Sequence, residues 1–350
     1  MQLFNEALDL LKQLIAIPSL SKEEDKTADL IQAFFQDKGI SIQRKGNNIW
    51  VKNLHFDDNK PTILLNSHHD TVKPNVGYTK DPFSPEVEDG KLYGLGSNDA
   101  GASLVSLMAC FLHFYHAPDL KYNLILAATA EEEISGKNGV ESILEALGDI
   151  DFAIVGEPTL LDLAIAEKGL MVLDCVATGK SGHAARNEGE NAIYKAMKDL
   201  EWFRTYTFTE VSKTLGPVRM SVTMINAGQQ HNVVPDECKF VVDVRSTDCY
   251  SNTQILEIIR ANVKSKVEPR SIRLNPSSIP IGHPIVQAGI ALGRRTYGSP
   301  TMSDQALMPY PSLKLGVGDS ARSHTADEFV FIHEIEEGIE FYIQLLKQVL

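Results

Sequence analysis

Five short stretches, each just after an apolar run, carry histidine and carboxylate side chains suited to binding metal. These are LLNSHHD (64–70), GLGSNDAG (94–101), LAATAEEE (126–133), AIVGEP (153–158) and SARSHTADE (320–328). Imidazole and carboxylate groups are the usual protein ligands of small divalent cations. Such a set can hold two cations and keep one carboxylate as a base, which is the equipment of two-metal hydrolysis.

Each residue also has a plainer reading. His68 and Asp70 follow TILLN, and two residues apart on an extended chain they face the same side, with His69 opposite. Asp70 could accept the second ring N–H of a ligating His68 and fix its tautomer; a polar loop would look the same. Asp99 follows the glycine-rich YGLGS. It suits a ligand shared by two cations or the N-cap of a helix over 100–116. Glu131, Glu132 and Glu133 repel one another unless something offsets them. Water does so in a solvated acidic loop. A cation at a strand end would do so directly, with one glutamate on the metal and the next free to move protons. Glu157 ends FAIVG before Pro158, where a buried carboxylate requires an ion pair or a metal. His324 stands in a polar loop, as surface histidines commonly do. No GxSxG elbow and no GxxxxGK[ST] phosphate loop occurs.

The elements that must position these groups follow from periodicity. Amphipathic spacing predicts helices over 4–17 and from Ser21, with Glu24 completing a capping box, to Gly39. Strands are expected at 49–54, 62–66, 122–128 and 152–155, with helices at 100–116 and 139–147. That alternation predicts an open α/β sheet, whose ligands gather at the carboxyl ends of strands. Between 171 and 280 the order becomes strand (170–177), helix (190–203), strands (218–226 and 238–246), helix (252–265) and strand (271–275). This is the βαββαβ, ferredoxin-like order. A helix, an apolar segment at 312–317 and a final helix at 333–349 follow. The expected organisation is a discontinuous domain (1–170 and 281–350) with an inserted domain (171–280).

The chain has 350 residues, 43% of them hydrophobic, which suits two domains. Its net charge of −13 argues against nucleic-acid or anionic-membrane partners. Four dispersed cysteines predict buried thiols in a reducing compartment. The start, MQLFNEALDLLKQLI, lacks the basic n-region of a signal peptide. A soluble, cytoplasmic protein is expected.

In order and spacing, these motifs resemble the di-zinc family of aminoacylases, carboxypeptidases, acetylornithine deacetylases and succinyl-diaminopimelate desuccinylases. The resemblance covers essentially the whole chain. It implies a catalytic domain with a mixed open sheet flanked by helices, and a ferredoxin-like lid and dimerisation domain. It implies that His68, Asp99, Glu133, Glu157 and His324 bind two zinc ions, with cobalt or manganese as substitutes, and that Asp99 bridges them. Asp70 would orient His68, and Glu132 would be the general base and acid. In GKSGHAARNEGENAI (179–193), His183 would polarise the scissile carbonyl. In HNVVPDEC (231–238), Asn232 would contact substrate. In DVRST (243–247), Arg245 would bind the substrate carboxylate. Departures are Ser67, where the family often has glycine, and Ala100-Gly101-Ala102, where it often has methionine–lysine–glycine.

The implied reaction is hydrolysis of the amide of a small N-acyl amino acid by a homodimer joined through 171–280. N-acetylornithine or a relative such as acylated citrulline comes first, then succinyl-diaminopimelate, then a carboxypeptidase or dipeptidase substrate. A second carboxylate would need another cation, for which Lys168, Arg186 and Arg322 are candidates. A reading of another class is a catalytically silent metal-binding regulatory protein.

Overall fold

The computed structural model describes residues 2–186 and 188–350. The chain divides into two compact units, one of Met1–Ile165, Ser278–Tyr297 and Ser303–Leu350, the other of Ala166–Ser277 and Gly298–Met302.

The first unit is built on a mixed sheet. Its neighbouring strands run Gln43–Lys45, Asn48–Lys52, Asn123–Thr129, Thr62–His68, Phe152–Val155 and Ser312–Lys314. The last four pair in parallel, and Asn48–Lys52 pairs antiparallel to Asn123–Thr129. Thr62–His68 and Asn123–Thr129 are buried along their whole length, as strands covered on both faces must be. Alternate side chains divide between two cores. Ile63, Leu65, Leu124 and Leu126 enter one, while Leu64, Ile125 and Ala127 enter the other. Burying each of these large side chains contributes about 1.5–3 kcal/mol. The helix Ala102–Phe114 is apolar on nearly every side and almost wholly buried. It is covered by Gln2–Ile15 and Ile332–Lys347, so its length is fixed by packing rather than by caps. A small antiparallel sheet, Glu86–Glu88, Lys91–Tyr93 and Phe329–Phe331, completes the unit.

The second unit is a four-stranded antiparallel sheet ordered Arg219–Ala227, Glu237–Ser246, Gly169–Thr178, Lys266–Pro269. With helices Ala192–Thr205 and Asn252–Asn262, the chain order is βαββαβ. Met171, Leu173, Cys175, Phe240, Val242 and Val244 form its core together with Ala196, Phe203, Ile255 and Ile259 of the helices. The alternate residues of those strands lie on the opposite, more open face.

Some expectations need correction. Ser21 and Glu24 do not form a capping box. Glu24 occupies the N-cap position of Asp25–Gln36 without a side-chain cap bond, and the Ser21 hydroxyl donates to Asp70 Oδ2 at 2.7 Å instead. A tertiary partner outcompetes the local one. The strand expected at 271–275 lies at Lys266–Pro269. The preceding helix ends at Asn262, and Asp199 then takes the backbone N–H groups of Lys264 and Ser265. That frees the next residues to pair with Leu173–Val176. The helix expected at 139–147 is a 3-10 turn and one short helix, Leu144–Leu147. Among the described residues, no helix is long and apolar enough to cross a membrane.

Candidate metal centre

Parallel strands of the first unit end side by side, and the acids follow directly. His68 closes Thr62–His68, Glu132 and Glu133 follow Asn123–Thr129, and Glu157 follows Phe152–Val155. His68 is 1% exposed. Its Nδ1 lies 3.0 Å from the Asp70 carbonyl oxygen and 3.4 Å from Asp70 Oδ1. Its Nε2 lies 3.4 Å from Asp99 Oδ1 and 3.7 Å from Glu157 Oε1. Among the described residues, neither that Nε2 nor Glu157 Oε1 has a hydrogen-bond partner, though both atoms are buried. Leaving two such atoms unmatched is costly, and a cation between them would satisfy both.

Asp99 faces both ways. Oδ1 looks to His68, and Oδ2 lies 3.6 Å from His324 Nε2. His324 Nε2 lies 3.0 Å from Glu133 Oε2. Potential ligand atoms of His68, Asp99 and Glu133 fall within 4.8 Å of one another, as do those of His68, Glu132 and Glu157. His324 is the most exposed member, with 56% of its side chain accessible, against 7% for Glu133. The centre is therefore dry around His68 and open beside His324.

Electrostatics carry the same message. Burial opposes a charge on His68, but Asp70 and Asp99 outweigh it and hold its pKa well above the ordinary value. Burial pushes Glu157 up to about 8, against His68 and with Asp99. Glu132 is held well above the carboxylate range, first by burial and then, against His68, by Glu157, Asp304 and Glu133. The hydrogen bond to Glu133 raises His324 to about 9. Acids crowded in this way retain protons unless positive charge joins them.

The three adjacent glutamates diverge. Glu131, at φ 55°, turns to Asn138, which donates to it at 2.9 Å, while its own N–H donates to Glu24 at 3.1 Å. Asp70 lies beside His68 and also holds the glutamate turn: its carboxylate accepts the N–H groups of Glu132 and Glu133 at 3.0 and 3.2 Å. His69 points away, to Thr27 and Asn47. Asp99 is no N-cap: the helix cap is Gly101.

Two further acids support the centre without having been singled out from the sequence. Glu328 accepts the N–H groups of Gly96, Asn98 and Asp99 at 3.1, 2.8 and 2.9 Å and fixes the turn that carries Asp99. It closes the stretch 320–328, so its position was visible but not its partner. Asp304 accepts from Asn66 and Thr129 at 2.9 and 2.7 Å and ties together two strand ends. Nothing local to DQAL marks it. Arg322 is not a free reader of carboxylates. It is held by Glu334 at 2.7 and 2.9 Å and lies over Phe329 and Phe331.

The remaining singled-out residues belong to the second unit. His183 pairs in register with Val233, and the Asn232 carbonyl accepts the Ala184 N–H at 3.0 Å, so His183 and Asn232 are neighbours. Arg245 lies on Glu237–Ser246, paired with Asp243 through Nε and Nη2 at 2.8 and 3.1 Å. Lys168 precedes Gly169–Thr178, and Arg186 ends a 3-10 turn.

Imidazoles and carboxylates at parallel strand ends, with a buried unmatched Nε2 among the acids, define a metal-dependent hydrolase. The chain belongs to peptidase family M20/M25/M40, whose model matches residues 64–348. A succinyl-diaminopimelate desuccinylase 2 of Ruegeria sp. (strain TM1040) is 28% identical over 279 residues, 74% of this chain and 70% of that protein. A succinyl-diaminopimelate desuccinylase of Thioalkalivibrio sulfidiphilus (strain HL-EbGR7) is 25% identical over 99% of both chains. The fold is that of aminopeptidase PepT from Bacillus cereus ATCC 10987, with a TM-score of 0.79, 18% identity, and 99% of this chain and 98% of that one covered. It is shared with the Bacillus subtilis YXEP protein, described as a dinuclear metal binding peptidase, at a TM-score of 0.72, 16% identity, and 99% and 98% coverage.

Proposed function

We propose that this chain hydrolyses the amide bond of an N-acyl amino acid that carries a second carboxylate, as N-succinyl-diaminopimelate does. The observation that carries the hydrolytic reading is Glu132. Its carboxylate is set against His68 and Glu157 by the turn that Asp70 clamps. The two relatives named as desuccinylases favour succinyl-diaminopimelate. N-acetylornithine, first from the sequence, therefore stands second.

His68, Asp99, Glu133, Glu157 and His324 would hold two divalent cations, zinc in our reading. When bound, such cations supply a Lewis acid and a lowered pKa for water. Glu132 takes the proton of the attacking water and delivers it to the departing nitrogen. Asp70 keeps His68 and the glutamate turn in place. By resemblance, His183 and Asn232 are assigned to the scissile carbonyl and Arg245 to the amino-acid carboxylate. The second unit is assigned a lid role and a homodimer interface. The edge strand Arg219–Ala227, with Val222, Met224 and Ile225 exposed, supports the interface. Four free cysteines, three of them buried, support a cytoplasmic location.

Release of free amine tests the reading. The panel is the N-acetyl and N-succinyl derivatives of ornithine, citrulline, diaminopimelate, glutamate and methionine, plus two dipeptides. Turnover of succinyl-diaminopimelate at least about tenfold above the acetyl compounds is expected. Preference for acetylornithine would restore that substrate to first place, and dipeptide turnover alone would move the chain to the peptidase branch. Metal binding without any turnover would support a silent regulatory protein.

A further inference from the structure

Three successive backbone N–H groups in the first unit donate to two carboxylates. Glu131 donates to Glu24 Oε1 at 3.1 Å, Glu132 to Asp70 Oδ1 at 3.0 Å and Glu133 to Asp70 Oδ2 at 3.2 Å. Both acceptors are buried. The turn that carries Glu132 and Glu133 is therefore held by its backbone, at two points, from outside.

One short segment serves both points. The link 19–24 joins the helices Gln2–Ile15 and Asp25–Gln36. It runs beside the chain that carries Asp70: the Thr71 N–H donates to the Ser19 carbonyl at 2.8 Å, and Leu20 forms a bridge with Thr71. The Ser21 hydroxyl donates to Asp70 Oδ2 at 2.7 Å, the shorter of the two bonds at that oxygen. Lys22 sits at φ 78°, where residues other than glycine are uncommon. Its N–H donates to Glu24 Oε1 at 2.7 Å, and Asn47 Nδ2 donates to Oε2 at 2.9 Å. Glu24 is thus fixed at both oxygens where it meets Glu131. Hydrogen bonds to ionised acceptors are the strong ones, and a buried acceptor stripped of a donor is costly. Misplacement of reacting groups by about 1 Å costs rate steeply.

We propose that Ser21 and Glu24 are positioning residues of the metal centre, which hold the turn of Glu132 and Glu133 in place, Ser21 through Asp70 and Glu24 through the Glu131 N–H. On the amidohydrolase reading above, on which this rests, proton transfer at Glu132 and the cation at Glu133 both depend on that hold. Neither residue is assigned a contact with substrate or cation.

The test takes the full-length protein with Ser21→Ala, Ser21→Thr, Glu24→Ala and Glu24→Gln. Ser21→Ala should weaken zinc binding, read by calorimetry, about tenfold and lower kcat about tenfold. KM should stay within about twofold, because no substrate contact is lost. Its metal-free form should unfold within about 4 °C of the unaltered protein. Ser21→Thr keeps the hydroxyl and should restore zinc affinity and kcat to within about threefold. Glu24→Ala should lose at least as much as Ser21→Ala. Glu24→Gln keeps Oε1 for Lys22 and Glu131 and should retain most of both. Zinc affinity and kcat within about twofold of the unaltered protein in Ser21→Ala would overturn the proposal. So would an equal loss in Ser21→Thr, which would make the effect one of packing. A raised KM at unchanged kcat would overturn it too, by placing Ser21 at the substrate. The Ser21 variants decide the outcome should Glu24→Ala not fold. Zinc affinity needs no substrate. Weakened zinc binding by Ser21→Ala in a protein that hydrolyses none of the panel would leave the hold standing and sink the catalytic reading. Hydrolysis by the unaltered protein, with Ser21→Ala unaffected, would sink the hold alone.

Discussion

Glu132→Gln lowers kcat by about 10³- to 10⁴-fold and leaves the bound metal unchanged. Glutamine keeps the shape of glutamate and removes its ability to accept a proton. Glu132 lies half-buried against His68 and Glu157, and its backbone is fixed through Asp70 rather than through its own side chain. The substitution therefore removes chemistry without dismantling the turn. It also removes one of a group of crowded acids, so stability should not fall. The check is paired: steady-state kinetics and elemental analysis of the same preparation. A kcat within tenfold of the unaltered enzyme would take the base role from Glu132. Loss of metal together with activity would make Glu132 a ligand, a role its distance to His68 and Glu157 also permits.

Asp99→Ala has an effect of similar size by another route. Asp99 directs one oxygen to His68 and the other to His324. Removing it would leave His68 and Glu157 on one side, and Glu133 and His324 on the other, without the carboxylate proposed to serve both. Metal content should fall from about two cations per chain to one or fewer, with kcat/KM down by about 10³-fold or more. The Gly96–Asn98 turn remains tied to Glu328, so the variant should fold. Circular dichroism and thermal unfolding of the metal-free proteins would separate lost metal from lost structure. Two retained cations in a folded variant would deny Asp99 its bridging place.

What could be read in the sequence was the set of groups whose signal is local. Strand ends followed by acids made His68, Glu132, Glu133 and Glu157 candidates, because a buried strand that runs into a carboxylate is conspicuous in one dimension; Asp99, after a glycine-rich turn, read equally as a helix cap. The open α/β sheet and the βαββαβ order followed from periodicity in the same way, while the sheet's mixed character came only with the family resemblance. Groups whose meaning lies in a distant partner stayed hidden. Ser21 looked like a helix cap until its partner was Asp70, 49 residues away. Glu328 and Asp304 are buried acids satisfied by backbone and side chains more than 170 residues distant. Arg322 looked available until Glu334 occupied it.

The central claim is that five ligands hold two cations and that hydrolysis depends on both. The direct measurement strips the protein with a chelator, returns zinc in steps and records amide hydrolysis at each step. The account predicts activity near zero after stripping and a maximum at about two equivalents per chain. Full turnover by protein with less than about a tenth of an equivalent of any divalent cation would contradict it.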